Sequence, residues 1–183
     1  MARLQETLPL RQEELLLFGQ SKPTPRLTSW HGDPGCVYTY SGREFTPEPW
    51  TTALERLRDY LKWRTGHSFN SVLVNFYRNE KDSMGAHSDD EAELGPSEDN
   101  IVIASVSLGQ KRRFVLESKA NKSQKIDYQL GEGNLLVMGG TTQRFFRHSL
   151  PKTRKATGAR MNLTFRWIHP RKERGKGAAP VAT

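Results

Sequence analysis

His87-Ser88-Asp89 sets an imidazole and a carboxylate two positions apart. On an extended strand residues i and i+2 share a face, so both side chains would point to one spot while Ser88 points away. Two ligands do not complete a metal site, and the third is expected from His148, in a distant strand-like segment just before Ser149-Leu150-Pro151. Two histidines and one carboxylate form the facial triad that leaves positions open on a non-haem iron(II) for a co-substrate and oxygen. The competing reading keeps His87 on the surface and His148 at a turn. Three protein ligands plus water would also suit a zinc hydrolase.

A second constellation changes that balance. In Arg160-Met161-Asn162-Leu163-Thr164-Phe165-Arg166-Trp167, strand alternation sorts Arg160, Asn162, Thr164 and Arg166 onto one face and Met161, Leu163, Phe165 and Trp167 onto the other. A half-buried strand with a solvated polar face has the same pattern. However, two arginines bracketing Asn and Thr also present forked and single donors suited to the two carboxylates of a small dianion such as 2-oxoglutarate. A zinc hydrolase would leave both arginines without a task. Asn75-Phe76-Tyr77 repeats the i, i+2 arrangement, with an amide and a phenol on one face shortly before His87.

These residues need strands to position them. SVLVNFY (71–77), IVIASVSL (101–108), RRFVLES (112–118), KIDYQL (125–130), NLLVMG (134–139), RFFRHSL (144–150) and RMNLTFRWI (160–168) are short, β-branched or aromatic, and separated by Gly, Pro, Asn or Lys turns. Many short strands at close intervals predict an all-β sandwich or barrel. One amphipathic helix is expected at about 50–64, where Leu54, Leu57 and Leu61 recur at helical spacing after two prolines and before Gly66. Residues 1–14 read as a polar arm with little periodicity. Leu15-Leu16-Leu17-Phe18 followed by GQSKPTP reads as a hairpin turning within the Gly- and Pro-containing stretch. The tail 171–183 is small, basic and unpatterned, and is expected to lack fixed structure.

Composition bounds the rest. The chain has 183 residues with formal net charge +8, and its mean hydropathy is −0.71. That length excludes two large domains, and no apolar run approaches the roughly 20 residues that span a bilayer. The opening residues lack the apolar core of a signal peptide, so an intracellular protein is expected. It would be cytoplasmic if bacterial, with a nuclear location open if eukaryotic. Cys36 is the single cysteine, which forbids an internal disulfide and a cysteine-based zinc cage; packing is its expected role. Residues 147–176 hold ten Lys/Arg against Glu173 alone, whereas residues 78–99 carry a net charge of −6. An acidic cluster beside a basic half fits a cation site next to a polyanion track.

Together the run FNSVLVNFYRNEKDS, then HSDDE, IASVSLG, RHSLPK and ARMNLTFR resembles the AlkB family of Fe(II)/2-oxoglutarate dioxygenases. The likeness is greatest to the members, bacterial and animal, that repair alkylated nucleic acid, and extends from about residue 15 to residue 168. It implies a mainly β fold with a flanking helix (α+β), built on a double-stranded β-helix (jelly-roll) core. By domain, residues 15–49 would form a hairpin finger and nucleotide-recognition lid, and 50–170 the dioxygenase core. His87, Asp89 and His148 would take the places of the Fe(II) ligands. Asn75, Tyr77, Arg160, Asn162, Thr164 and Arg166 would form the 2-oxoglutarate pocket, with O2 as the other co-substrate. Asp90 falls where the family contacts the target base, and support of the neighbouring metal ligands is the alternative role for it. Tyr38, Thr39 and Tyr40 fall in the lid. Phe18 falls where double-strand-acting members carry an apolar finger residue, although most of the remaining motif wording resembles a single-strand-preferring member.

The activity so implied is oxidative demethylation of bases such as 1-methyladenine and 3-methylcytosine in DNA or RNA, releasing formaldehyde, succinate and CO2. The enzyme would act as a monomer on nucleic acid, away from membranes. The alternatives are a dioxygenase acting on protein or lipid, and a non-catalytic jelly-roll module that binds nucleic acid.

Overall fold

The computed structural model describes residues 1–17, 19–40, 43–95, 100–155 and 157–169. A short helix α1 (Ala2–Thr7) precedes a hairpin of β1 (Glu14–Leu17) and β2 (Gln20–Pro23). β3 (Leu27–Gly32) and a second small hairpin of β4 (Tyr38–Tyr40) and β5 (Arg43–Phe45) lead into α2 (Thr52–Thr65). Eight strands follow: β6 (Ser71–Tyr77), β7 (Met84–His87), β8 (Ile103–Gly109), β9 (Arg112–Ser118), β10 (Lys125–Leu130), β11 (Asn134–Met138), β12 (Phe146–Leu150) and β13 (Arg160–Arg166). Helix α3 (Thr142–Phe145) runs directly into β12.

Two antiparallel sheets result. One has the order β11-β8-β13-β6-β3 and the other β10-β9-β12-β7. From β6 onward the chain passes back and forth between them, interrupted only by the β9–β10 hairpin. This is a jelly-roll, the expected double-stranded β-helix, and its two sheets enclose one interior space.

α2 forms because Thr51 caps its start, accepting a hydrogen bond from the Leu54 amide, and Gly66 ends it with φ +75°. Its Leu54 and Leu61 pack with Leu8 and Phe69 on Val72, Val74, Met161, Leu163 and Phe165, on the outer face of the five-stranded sheet. A second core, including Ile103, Phe114, Leu116, Met138 and Cys36, fills part of the space between the sheets. At about 25 cal/mol per Å2, burying such side chains contributes roughly 1.5–3 kcal/mol each before entropy is counted.

Several local expectations need correction. Residues 1–14 are not a loose arm: α1 places Leu4, Leu8 and Leu10 against the main core. The first hairpin turns at Gly19 (φ +76°), the first residue of GQSKPTP, but the rest of that stretch is not turn, because Gln20–Pro23 is itself the return strand. β3 lies in the region read as lid, yet it is the outer strand of the five-stranded sheet, paired with β6. The strand read at 144–150 starts only at Phe146, since the amides of Arg144 and Phe145 donate to the Thr141 carbonyl and close a helical turn. Trp167 follows the end of β13 and is 43% exposed, so it leaves the apolar row. Phe18 and the tail 171–183 lie outside the described residues, as do the side chains of Tyr38, Thr39 and Tyr40. Among the described residues, no helix is long and apolar enough to cross a membrane.

Candidate active site

β7 and β12 are antiparallel neighbours, and His87 and His148 are direct cross-strand partners. Such partners hold their Cβ atoms about 4.5–5.5 Å apart, and the two imidazoles meet with ring centroids at 4.2 Å. Asp89 lies just past the end of β7 rather than on it, so the shared strand face predicted for the H-x-D pair is not what joins them. The chain turns inward there, and a ligand atom from each of His87, Asp89 and His148 lies within 4.8 Å of the others. In the tautomer protonated at Nδ1, His87 donates to the Gly85 carbonyl at 2.9 Å, which leaves the Nε2 lone pair on the side of Asp89.

The charges of this cluster suit a cation. Asp89 is buried, which pushes its carboxyl up. Arg166, His148 and His87 outweigh that and hold it below the usual range. Burial drives His148 down to about 4, so the ring is a neutral lone-pair donor near pH 7. Asp89 Oδ1 accepts from Arg166 at 2.8 Å, whereas Oδ2 is buried with no hydrogen-bond partner. A buried carboxylate oxygen left without a partner costs on the order of 1–3 kcal/mol or more. A divalent ion held by the three residues would remove that cost, and two imidazoles with one carboxylate match the donor set of iron(II).

β13 runs through the middle of the five-stranded sheet, and its register forms the second part of the site. Asn162 stands between Asn75 of β6 and Ser107 of β8, while Arg160 stands beside Tyr77. The polar row of β13 faces the interior between the sheets, not solvent: Arg160, Thr164 and Arg166 are all buried. Arg160 donates to Ser107 Oγ at 2.8 Å and Asn162 Oδ1 at 3.0 Å, and its guanidinium carbon lies 5.6 Å from the Tyr77 ring centre. Asn162 donates in turn to Thr164 Oγ1 and accepts from Ser105 and Ser107.

These partners of Arg160 are neutral, its Nε has none, and among the described residues no carboxylate forms an ion pair with it. Burial lowers its pKa to about 10, which still leaves it charged near pH 7. A buried cation without a counter-charge is costly, so this end of the cavity is fitted to receive an anion. Asn75, Tyr77, His87, His148, Arg160, Asn162, Thr164 and Arg166 all line that one cavity.

Sequence reasoning missed the groups that hold the ligands in place. Gln143 is fully buried and accepts the Asp89 amide at 3.0 Å. Ser88 donates to the Phe146 carbonyl, tying the same segment to the start of β12. Arg112 is buried and donates to three carbonyls, those of Asn79, Asp82 and Pro151. Those bonds fasten the loop before β7 to the chain after β12. Within that loop Arg78 grips Asp82 through both carboxylate oxygens, at 2.7 and 2.9 Å. Arg26, in the segment read as lid, donates to Asn75 Oδ1 at 2.9 Å. The polar or charged type of each residue is visible in the sequence, but except for Arg78 and Asp82, four positions apart, the partner lies tens of positions away.

Asp90 is exposed and pairs with Lys119 at 3.3 Å, outside the ligand cluster. Among the described residues, the cations of the basic segment 147–176 do not share one face. Arg160 and Arg166 point into the cavity, Arg171, Lys172, Arg174 and Lys176 lie outside the described residues, and Arg147, Lys152, Arg154 and Lys155 remain.

A family model described as the 2OG-Fe(II) oxygenase superfamily matches residues 1–166. The chain is 41% identical over 164 residues to the DNA oxidative demethylase ALKBH2 of Mus musculus, covering 86% of this chain and 67% of that protein. It is 40% identical over 179 residues to the alpha-ketoglutarate-dependent dioxygenase alkB homolog 3 of Rattus norvegicus, covering 93% and 59%. To the DNA oxidative demethylase ALKBH2 of Homo sapiens it is 40% identical over 159 residues, covering 83% and 60%. The chain thus spans 59 to 67% of the length of these relatives. The solved structure of OsALKBH1 matches with a TM-score of 0.54 at 19% identity, over 88% of this chain and 82% of that one, a likeness of fold alone. With the jelly-roll, the ligand cluster and the arginine-lined cavity in one arrangement, the chain belongs to the AlkB family within the 2OG-Fe(II) oxygenase superfamily.

Proposed function

We propose that the protein demethylates N-alkylated nucleic-acid bases such as 1-methyladenine and 3-methylcytosine by oxidation, using Fe(II), O2 and 2-oxoglutarate. The observation that carries this reading is the pairing, in one cavity, of the His87, Asp89 and His148 cluster with the buried, anion-free guanidinium of Arg160. The names of the relatives, two of them DNA oxidative demethylases, support the substrate class.

Bound iron supplies coupled oxidation of 2-oxoglutarate to succinate and CO2 and of an N-methyl group to hydroxymethyl, which leaves as formaldehyde. The chain's own residues position. His87 offers its Nε2, His148 a neutral nitrogen and Asp89 a carboxylate held ionised by Arg166, so neither His148 nor Asp89 must lose a proton to bind a cation near pH 7. Arg160, oriented by Ser107 and Asn162, holds the distal carboxylate of the co-substrate, and Thr164 completes the hydroxyl-lined wall. Phe114 stacks on His148 at 5.6 Å and keeps water from that side of the ring. A target base enters only after leaving its stack, and lid residues Tyr38, Thr39 and Tyr40 hold it, with Phe18 as the wedge in duplex substrates.

Formaldehyde release from single-stranded DNA, duplex DNA and RNA carrying 1-methyladenine tests the reading, with iron and 2-oxoglutarate omitted in turn. Release that needs both supports it. Absence of release from all three substrates by the iron-loaded protein rejects it. His87→Ala abolishes release while nucleic-acid binding persists.

A further inference from the structure

We propose that Phe145 is a second aromatic contact for the substrate strand, a platform on which an unpaired base adjoining the target stacks. This rests on the nucleic-acid reading above and extends it to a residue outside the lid and finger. Phe145 is 49% exposed, although it sits three positions before His148. Its backbone is fixed on both sides: its amide donates to the Thr141 carbonyl, and its carbonyl accepts the Lys119 amide at 2.8 Å. The neighbouring Gln143 is fully buried and grips the Asp89 amide, so α3 is fastened to the ligand cluster itself. A large apolar ring on a rigid mount costs exposed area without contributing to the core.

The surroundings identify the occupant. The Arg144 guanidinium carbon lies 5.2 Å from the Phe145 ring centre. Lys119, bonded to the backbone of Phe145, carries the ammonium that pairs with Asp90. Arg147 extends this basic rim as an exposed residue of β12. An aromatic face among cations, carried on the helical turn that grips Asp89, suits a base on the ring and phosphates on the charges. The other exposed rings differ in place. Tyr60 and Trp63 are on α2, behind the five-stranded sheet, and Trp167 borders the hollow that His67 and Ser68 line just beyond the end of that helix. Among the described residues, Phe145 is the exposed ring next to the ligand cluster. Because every base has a π-face, this contact is indifferent to sequence and requires the neighbouring base to be unstacked, which favours single strands.

The test is anisotropy of a short labelled single strand with central 1-methyladenine, binding to protein loaded with Mn(II) and 2-oxoglutarate, which prevents turnover. A matched strand has base-free sugars on both sides of the target. Phe145→Ala weakens binding of the intact strand by about tenfold, within the range of one lost stacking contact. Phe145→Trp restores it, and the base-free strand binds wild type and Phe145→Ala equally. Equal binding of the intact strand by wild type and Phe145→Ala overturns the platform but leaves the demethylase reading standing. A loss that persists on the base-free strand, or that Phe145→Trp does not restore, also overturns it. Failure of the wild type to bind either strand removes both.

Discussion

The two ends of β13 carry one arginine each, both buried, and they handle that charge in opposite ways. At the C-terminal end Arg166 meets Asp89 at 2.8 Å, so cation and anion leave water together. At the N-terminal end Arg160 has, among the described residues, only hydroxyl, amide and ring partners. A buried ion pair tolerates the removal of neither partner, whereas a buried lone cation is a cost that the free protein bears until an anion arrives. On the proposed reading, one end therefore serves the fold and the metal ligand, and the other the co-substrate.

The largest way to break this contrast is Arg166→Met, which leaves the Asp89 carboxylate buried without its guanidinium. Denaturant titration of metal-free protein should show a loss of about 3–5 kcal/mol, the range for breaking a buried pair. Added Mn(II) should recover part of it, because a cation on Asp89 replaces the missing charge. Undiminished stability would mean that the pair does not hold the carboxylate. Arg160→Met has a two-sided signature. 2-Oxoglutarate binding, measured by calorimetry on Mn(II)-loaded protein, should weaken by about 2–5 kcal/mol, as when one partner of a desolvated charge pair is truncated. Metal-free stability should stay level or rise, since an apolar side chain of similar size replaces an uncompensated charge. A drop as large as that of Arg166→Met would erase the distinction between the two ends.

The two sheets make the same contrast at larger scale. The anion end rests on β13, which has a hydrogen-bonded strand on either side and the α2 core behind it. The candidate metal end takes His148 from the interior strand β12, but its other two residues rest on β7, an edge strand of four residues, and on Asp89 beyond its end. The backbone alone does not fix Asp89, so side chains must. Gln143→Met keeps the volume and removes the amide oxygen that accepts the Asp89 amide. Metal affinity should fall about 10–100-fold, the usual effect of losing an outer support of a ligand. 2-Oxoglutarate affinity in metal-saturated protein should change little. Equal losses of both would make Gln143 a general support of the cavity.

This difference also explains what could be read from the sequence. β6, β9 and β10 match their predicted spans, because alternation and turn residues are local signals. The row Arg160, Asn162, Thr164 and Arg166 was legible for the same reason: seven regular residues of one strand have a single sorting. The interior position of that row was not, since alternation reads alike for a solvated face and a polar cavity. Asp89 joins the cluster with His87 and His148, but not through the strand geometry that the H-x-D spacing suggested. Gln143 escaped because it lies just before the span read as strand, in a single helical turn that no local signal announces, and its partner is 54 positions away. Arg112 escaped because its three acceptors are backbone carbonyls, which no side-chain pattern announces.

The smallest effect belongs to Asp82, in the loop that carries the chain from β6 to β7. Burial pushes its carboxyl up, but hydrogen bonds from the Arg78 side chain and amide outweigh this and hold it below the usual range. A carboxylate whose pKa is lower in the folded than in the unfolded chain stabilises the fold above its unfolded value of about 3.9, and that contribution fades as pH falls through the folded value. Asp82→Asn should therefore cost about 1 kcal/mol near neutral pH, a small figure because Arg78 is half in water. The gap between wild type and variant should narrow as pH falls below about 4 and vanish in stronger acid. Because the loop adjoins the metal end of the cavity, metal affinity should follow this modest loss while 2-oxoglutarate affinity does not. A constant gap across the acid range would assign the effect to packing of the loop rather than to the charge on Asp82.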